Sequence, residues 1–174
     1  RLQGELIAAR EALRDQANRD PMTGLLNRRA IQRQFRDRLD DGTAVGQPLT
    51  ALLVDIDHFK QVNDRHGHMV GDQVLKCVAK ALKPADDNSL AVRMGGEEFV
   101  LLLRGSTPEE ALSILDGARE AMAARKLVNR RTKEPFGQVT FSGGIADVFA
   151  YDDPRAALAA AGGVGQIFGQ WAKS

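Results

Sequence analysis

The chain has 174 residues, of which 43% are hydrophobic and 27% are charged, and its formal net charge is +1. This length and balance predict one globular domain with a single core and a short appendage. The near-neutral charge argues against a nucleic-acid partner or contact with an acidic membrane, since both need a strongly basic surface. No apolar run approaches the length that spans a bilayer.

The only cysteine, Cys77, lies in an apolar helical pattern. Because it cannot form an internal disulfide, it indicates a reducing, cytoplasmic compartment, and we expect a buried and inert thiol. The chain begins at Arg1, inside a helical pattern, so we expect it to be cut from a longer protein that could itself be anchored in a membrane.

Residues 1–19 carry an apolar seam with alternating spacings of four and three, formed by Leu2, Leu6, Ala9 and Leu13. This seam predicts a helical stalk that pairs with a second copy as a coiled coil. With barely two heptads, the alternative is a lone amphipathic helix that lies on the domain.

Proline disfavours helical geometry in the residue before it, so the first helix should end at Asp20-Pro21. A second helix is predicted to begin near Thr23 and to bury Leu26, Ile31 and Phe35.

Hydrophobic periodicity and turn residues define the remaining elements. The strands are predicted at Leu49–Ile56, Leu90–Met94, Phe99–Leu103 and Gly137–Val148, and the helices at His58–Asp64, Met69–Leu82, Pro108–Ala124 and from Pro154 onward. This order predicts an α+β fold of the split βαβ, ferredoxin-like kind, with a central, mostly antiparallel sheet flanked by helices.

Two carboxylates, Asp55 and Asp57, follow the buried strand and precede a short helix. The free amides of a helix start bind phosphate, Lys60 adds a positive charge, and Asp55 can ligate a hard cation. On this segment alone, a pair of solvated turn carboxylates is an equal alternative.

The hairpin turn Gly95-Gly96-Glu97-Glu98 carries a second pair of carboxylates. Its glycines permit positive φ and leave room for a ligand to approach the backbone. If the hairpin lies beside the Leu49–Ile56 strand, Asp55 and Glu97 meet at one sheet end and form a carboxylate pair suited to Mg²⁺ and nucleotide phosphates.

Four motifs then resemble one family. Residues 93–99 (RMGGEEF) resemble the signature of the GGDEF family in its GGEEF form, and residues 20–29 (DPMTGLLNRR) resemble its opening motif. Residues 55–64 (DIDHFKQVND), with Gly67-His68 and Gly71-Asp72, resemble its nucleotide-binding stretch, and residues 140–146 (TFSGGIA) its late strand.

The resemblance implies a nucleotidyl-cyclase-like domain over residues 20–174 that acts as a diguanylate cyclase, condensing two GTP into cyclic di-GMP. Mg²⁺, or Mn²⁺ in its place, would be held by Asp55, the Ile56 carbonyl and Glu97. The implied catalytic residues are Asp55, Lys60, Glu97 and Glu98. The implied GTP-binding residues are His58, Phe59, Lys60, Asn63, Asp72, Gly95 and Gly96, of which Asn63 and Asp72 would read guanine.

The resemblance also implies partners. Each domain binds one GTP, so catalysis implies a homodimer with two facing sites. We also expect an upstream sensory domain that acts through the stalk of residues 1–19.

The chain departs from the family pattern at two places. Where the inhibitory Arg-x-x-Asp element is expected, it has Asp86-Asp87-Asn88-Ser89, and because Asp86 would repel the phosphates of cyclic di-GMP, we predict weak or absent product feedback. In the last helix, Gly162 and Gln166 replace the family's lysine and arginine, which predicts weaker GTP binding or slower turnover unless Arg104, Arg130 or Arg131 compensates.

These two replacements keep an alternative open, a catalytically weak GTP-binding module that signals by dimerising or by contacting a partner domain. A purely structural oligomerisation domain would leave both acidic turns unexplained.

Overall fold

The computed structural model describes residues 1–35, 46–84, 89–135, 137–151 and 156. The helices are α1 (Leu2–Asn18), α2 (residues 28–35), α3 (Phe59–His66), α4 (His68–Leu82) and α5 (Pro108–Ala124). The strands are β1 (Leu26–Asn27), β2 (Leu49–Ile56), β3 (Leu90–Gly95), β4 (Glu98–Arg104) and β5 (Phe141–Asp147), and a short 3-10 helix follows at Val148–Ala150.

The strands form a sheet in the order β1-β3-β4-β2-β5. Only the short β1–β3 pairing is parallel, whereas β3–β4, β4–β2 and β2–β5 are antiparallel. The predicted α+β fold with a mostly antiparallel central sheet is therefore confirmed. Because β2 lies between β4 and β5, its carboxyl end is flanked by the first residues of both neighbours.

The sheet has a hydrophobic cluster on each face, and β2 contributes to both. Leu52, Val54 and Ile56 pack with residues of α4 and α5. The alternate residues Leu49, Ala51 and Leu53 pack with Ile31 and Phe35 of α2. This period-two alternation explains why β2 reads as a continuous apolar run, since a strand covered on both faces has no solvent side.

Most predicted elements are confirmed, and two lie at their predicted bounds, the strand Leu49–Ile56 and the helix Pro108–Ala124. The helix begins there because Thr107 and Glu110 form a capping box and Pro108 occupies the first turn. The hairpin is confirmed too, with positive φ at Gly95 (150°) and Gly96 (52°). The predicted helix from Pro154 lies outside the described residues, apart from a helical assignment at Ala156.

The predicted helix start near Thr23 is wrong. The Asp20 carboxylate accepts hydrogen bonds from the Thr23 backbone N and Oγ1 at 2.9 and 2.7 Å, and this closes a turn instead. Leu26 then pairs with β3 as a strand residue, and α2 begins after Asn27, whose Oδ1 accepts from the Ala30 backbone N at 3.0 Å. Asn27 is therefore the helix cap that the sequence analysis missed.

The last predicted strand starts later than expected, at Phe141 rather than Gly137. Gly137 has a φ of 86°, which is not strand geometry, and the Thr140 carbonyl accepts a hydrogen bond from the Asp57 backbone at 2.9 Å. The chain therefore approaches the sheet as a loop that contacts the end of β2 before it begins to pair.

Helix α1 forms as predicted, but none of its residues is buried, so the alternative of a helix that lies on the domain is wrong. Leu2, Leu6 and Leu13 expose 82, 71 and 66% of their surface. Among the described residues, no helix is both long enough and apolar enough to cross a membrane.

Candidate functional site

Two acidic turns meet at the carboxyl end of β2. Asp55 pairs in register with Glu98 of β4, and the Ile56 backbone N donates to the Glu97 carbonyl oxygen at 3.2 Å. The predicted meeting of Asp55 with Glu97 at one sheet end is therefore seen in the structure. The hairpin pairs β4 with β3, and the pairing of β4 with β2 then places Glu97 and Glu98 beside the end of β2.

The three carboxylates oppose one another's ionisation. Partial burial raises the pKa of Asp55, and the charge of Asp57 raises it further. Burial and then the charge of Asp55 likewise raise the pKa of Glu97. For Glu98, burial and the charges of Asp55 and Glu97 raise the pKa, and the Arg28 guanidinium only partly offsets this.

The Oε2 atom of the Glu98 carboxylate is buried and has no hydrogen-bond partner within the described part of the chain. Buried carboxylate oxygens normally accept a hydrogen bond. An unpartnered oxygen within a cluster of negative charges therefore indicates a position that can bind a cation or a hydrogen-bond donor.

The donor set fits a hard divalent cation that shares its ligands with a substrate. Across the described ranges, no three side chains of His, Cys, Asp or Glu converge closely enough to hold a metal alone. Asp55, Glu97 and the Ile56 carbonyl supply oxygen only, which Mg²⁺ and Mn²⁺ accept, and phosphate oxygens would complete the shell. A cation there would favour the ionised forms of the three carboxylates, whose pKa values are raised by burial first and then by neighbouring carboxylates.

The turn between β2 and α3 presents free backbone donors. The Ile56 and Asp57 amides are used within the fold, by Glu97 and Thr140. His58 precedes the helix in a left-handed conformation (φ 56°, ψ 30°), and the first intrahelical bond is made by Val62 to the His58 carbonyl. The amides of Phe59 and Lys60 in the first turn therefore have no helical partner, which is the arrangement that binds phosphate.

Asp57 is partly exposed, but both of its carboxylate oxygens accept hydrogen bonds from the protein. The Thr140 Oγ1 and Ser142 Oγ hydroxyls donate to its Oδ2 and Oδ1 at 2.8 and 2.6 Å. Asp57 had no predicted role, because its partners lie 83 and 85 residues away and no local pattern connects them.

Asn63 of α3 and Gly71 of α4 are in close contact. A Cβ at Gly71 would overlap the Asn63 Oδ1 atom, so only glycine leaves space for the amide. Asp72 follows Gly71, and both Asn63 and Asp72 are partly exposed. The two residues predicted to read guanine therefore lie on adjacent helices.

Arg93 and Asp20 form a second link that the sequence analysis missed. Arg93 Nη1 lies 3.2 Å from both Asp20 carboxylate oxygens, and Arg93 Nη2 donates to the Gly96 carbonyl at 2.9 Å. Burial acts to raise the pKa of Asp20, but hydrogen bonds from Thr23 and Arg93 and the Arg93 charge lower it overall. One guanidinium thus ties the turn after α1 to the signature hairpin.

The structure describes some of the positions where the chain departs from the family pattern. Ser89 is buried, and its hydroxyl accepts from the Arg104 backbone N at 3.3 Å. Arg104 pairs with Leu49, at the sheet end opposite Asp55 and Glu98, so it cannot replace a phosphate-binding cation at the site. Arg130 and Arg131 are exposed, and Asp86, Gly162 and Gln166 lie outside the described residues.

Comparison with known proteins identifies the family. The family model described as "Diguanylate cyclase, GGDEF domain" matches residues 17–163, and the chain belongs to this family. Among curated relatives, diguanylate cyclase DgcP of Pseudomonas aeruginosa is 41% identical over 66% of this chain and 17% of its own length. Diguanylate cyclase VdcA of Vibrio cholerae is 31% identical over 83% of this chain and 42% of its own.

Solved structures agree with this assignment. The coiled coil and GGDEF domain of DgcB from Caulobacter crescentus, in complex with c-di-GMP, has a TM-score of 0.84 at 28% identity, over 91% of this chain and 84% of that one. The active GGEEF domain of a diguanylate cyclase from Vibrio cholerae has a TM-score of 0.62 at 31% identity, over 70% of this chain and 75% of that one. The chain spans less than half the length of the curated relatives described above.

Proposed function

We propose that this domain condenses two GTP molecules into cyclic di-GMP and two pyrophosphates in the cytoplasm. The 3′ hydroxyl of each GTP attacks the α-phosphorus of the other, each new phosphodiester bond displaces pyrophosphate, and each hydroxyl gives up one proton. The observation that supports this reaction best is the convergence of Asp55, Glu97 and Glu98 beside the free amides of α3.

Guanine is read by Asn63 and Asp72 in this proposal. A carboxylate accepts from the N1–H and N2–H groups of guanine, which adenine does not present in that arrangement. The space left by Gly71 supports the role of Asn63, because it allows the amide to lie between α3 and α4. The pair thereby selects GTP over ATP.

The phosphates bind at the turn before α3. The amides around His58, Phe59 and Lys60 donate to phosphate oxygens, and the Lys60 ammonium adds a positive charge. Gly95 and Gly96, which lack side chains, let the nucleotide approach the hairpin backbone. Asp55, the Ile56 carbonyl and Glu97 would hold Mg²⁺ or Mn²⁺, which supplies charge stabilisation for the phosphates when bound.

Glu97, beside the proposed metal and phosphate positions, receives the proton of the attacking hydroxyl in this proposal. Glu98 contributes a further contact to phosphate or metal through its unpartnered Oε2 atom.

The reaction requires two domains. One domain supplies one GTP, so two sites face each other across a twofold axis, as in a homodimer. The exposed leucines of α1 form the coiled-coil seam that pairs the two chains. An upstream sensory domain would act through this stalk by changing how the two sites face.

Product feedback is absent in this proposal. A feedback site at this position would need a cation where the sequence has Asp86, and Ser89 is buried in a hydrogen bond to the β4 backbone. Titration of cyclic di-GMP into an activity assay should leave the rate nearly unchanged. Potent non-competitive inhibition would contradict this part of the proposal.

The test is incubation of the domain with GTP and Mg²⁺ at high protein concentration, followed by chromatography of the nucleotides. Cyclic di-GMP should form with the parent chain and not with a Glu97→Ala, Glu98→Ala variant. A Glu109→Ala, Glu120→Ala variant, altered at two exposed positions of α5, is the control for the loss of two glutamates.

Gly162 and Gln166 favour one other function, that of a GTP-binding regulatory module with little turnover. In the same experiment, GTP binding without any dinucleotide product would favour this second function. Formation of cyclic di-GMP over many turnovers per site would exclude it.

A further inference from the structure

Asp57 lies between the proposed metal-binding end of β2 and the proposed phosphate-binding start of α3, and its hydrogen bonds run to the start of β5 and the residue before it. Its carboxylate accepts from Thr140 and Ser142, and its backbone N donates to the Thr140 carbonyl. These contacts all lie on the β5 side of β2, whereas Glu97 and Glu98 lie on the β4 side. The side-chain hydrogen bonds of Asp57 therefore run to the β5 side, whereas Asp55 pairs in register with both Glu98 of β4 and Ser142 of β5.

We infer that Asp57 is a positioning residue. The hydrogen bonds that it accepts from Thr140 and Ser142 hold the turn at His58 in the conformation that presents the free amides of α3 to the GTP phosphates. This inference rests on the proposed function and adds three residues to it. None of the three touches the substrate in this account. They act through the backbone conformation of the turn.

The conformation of His58 shows why the turn needs such an anchor. A non-glycine residue in the left-handed region is strained, and it persists only when its surroundings fix it. Asp57 directly precedes His58, and its three hydrogen bonds of 2.6 to 2.9 Å hold the chain at that point. Hydrogen bonds to a charged carboxylate are stronger than neutral ones, so the two hydroxyl donors hold the Asp57 side chain in place.

The same contacts keep Asp57 from competing with Asp55 for a cation. Both Asp57 oxygens are engaged by hydroxyls, whereas the Asp55 carboxylate has no hydrogen-bond partner among the residues that the structure describes. In this proposal, Asp55 is therefore available to the metal, whereas Asp57 holds the turn.

Two kinds of variant separate the effect of the hydrogen bonds from Thr140 and Ser142 from the effect of the Asp57 charge. Asp57→Asn removes the charge but keeps an oxygen acceptor for one hydroxyl and an amide that can donate to the other. Thr140→Val with Ser142→Ala keeps the charge and removes both donors. Asp57→Ala removes the charge and both side-chain acceptors but keeps the backbone hydrogen bond to Thr140. Thr140→Ser keeps the hydroxyl, and Ser113→Ala on α5 is the matched control for deletion of a hydroxyl.

The readouts are KM and kcat for GTP, together with equilibrium binding of a fluorescent GTP analogue and of guanosine. The Thr140→Val, Ser142→Ala variant should match Asp57→Ala, with GTP binding weakened on the order of tenfold to a hundredfold. Asp57→Asn and Thr140→Ser should keep most of the affinity. Guanosine binding should change little in any variant, because it makes no phosphate contact, and combining Asp57→Ala with the hydroxyl deletions should add nothing further.

Wild-type GTP affinity in the hydroxyl-deletion variant would overturn the inference, as would an Asp57→Asn variant as impaired as Asp57→Ala. A parent chain that does not bind GTP at all would instead overturn the proposed function, before any variant is compared. Thermal unfolding of each variant identifies those that fail to fold, and the conservative Thr140→Ser variant keeps the comparison decisive if Asp57→Ala is one of them.

Discussion

Asn63 occupies the space that a side chain at Gly71 would need, so Gly71 lets the Asn63 amide lie against α4 at the proposed guanine site. Gly71→Ala should displace the Asn63 amide and raise KM for GTP by about tenfold or more, the usual result when a hydrogen bond to substrate is lost. Gly117→Ala, on α5, is the control, because a Cβ there meets no atom within 4 Å.

Steady-state kinetics and thermal unfolding of both variants test this prediction. Gly117→Ala should keep the parent KM and gain about 0.5–1 kcal/mol of stability from its higher helix propensity. An unchanged KM in a folded Gly71→Ala variant would remove Asn63 from the guanine site.

The ion pair between Arg93 and Asp20 should stabilise the fold at neutral pH. Both side chains are only 17% exposed, and Arg93→Met should lower the free energy of unfolding by about 1.5–3 kcal/mol. The exposed pair of Arg119 and Asp116, each 52% exposed, is the comparison, and Arg119→Met should cost less than about 0.5 kcal/mol. Equal effects in urea unfolding would mean that the Arg93 pair has no special weight.

The same pair predicts a pH dependence. The pKa of Asp20 is lowered from 3.8, so its stabilising effect is fully present above about pH 4 and is lost as the pH falls through the folded-state value. Asp20→Asn, which has no carboxylate to protonate, should therefore lose less stability than the parent as the pH falls below about 4. Parallel acid titrations of parent and variant would contradict this assignment.

Without a bound cation, the acidic cluster should destabilise the fold at neutral pH. The pKa values of Asp55, Glu97 and Glu98 are raised, so the cost is absent in acid and appears as the pH rises past the ordinary carboxyl values. Glu97→Gln should therefore raise the melting temperature of the metal-free protein at about pH 7 by a few degrees and leave it unchanged near pH 3.

Differential scanning calorimetry in a chelator measures both conditions. Glu120→Gln, on the exposed side of α5, controls for the loss of one negative charge. A Glu97→Gln variant that is less stable than the parent at neutral pH would show that the cluster is satisfied by contacts within the protein.

The exposed seam of α1 should control dimerisation. Leu6→Glu with Leu13→Glu places charges on the seam, and it should shift the protein to monomer and lower its specific activity. Ile7→Glu is the matched control, because Ile7 is exposed and apolar but lies off the seam. In sedimentation velocity, the fraction of dimer should fall strongly for the Leu6→Glu, Leu13→Glu variant and little for Ile7→Glu. An equal fraction of dimer in both variants would mean that α1 is not the dimer contact.

Local patterns predicted the elements, and the acidic residues of the site were recognised from two short segments. Asp55 at the end of a buried strand and Gly95-Gly96 in a hairpin are signals contained within a few residues of sequence. The register that brings Asp55 opposite Glu98 does not follow from either segment, because the two-residue turn joins β4 to β3 and leaves the pairing of β4 with β2 open.

Contacts between distant segments could not be predicted in this way. Asp57 reaches Thr140 and Ser142 only because β5 pairs with the far edge of β2, and no periodicity specifies which edge a strand joins. The same holds for Arg93 and Asp20, which are 73 residues apart. Leu26 was assigned to a helix because its hydrophobic spacing fits one, whereas the turn formed by Asp20 and Thr23 and the cap formed by Asn27 move the helix start.

The central claim is that a 3′ hydroxyl of one GTP attacks the α-phosphorus of the other at the site of Asp55, Glu97 and Asn63. The most direct measurement is pyrophosphate release together with mass spectrometry of the nucleotide product, with GTP and with 3′-deoxy-GTP as substrates. We predict that GTP yields cyclic di-GMP with two pyrophosphates per product, and that 3′-deoxy-GTP binds but yields neither. No dinucleotide from GTP and Mg²⁺ at any protein concentration, or pyrophosphate release from 3′-deoxy-GTP at the rate seen with GTP, would contradict the claim.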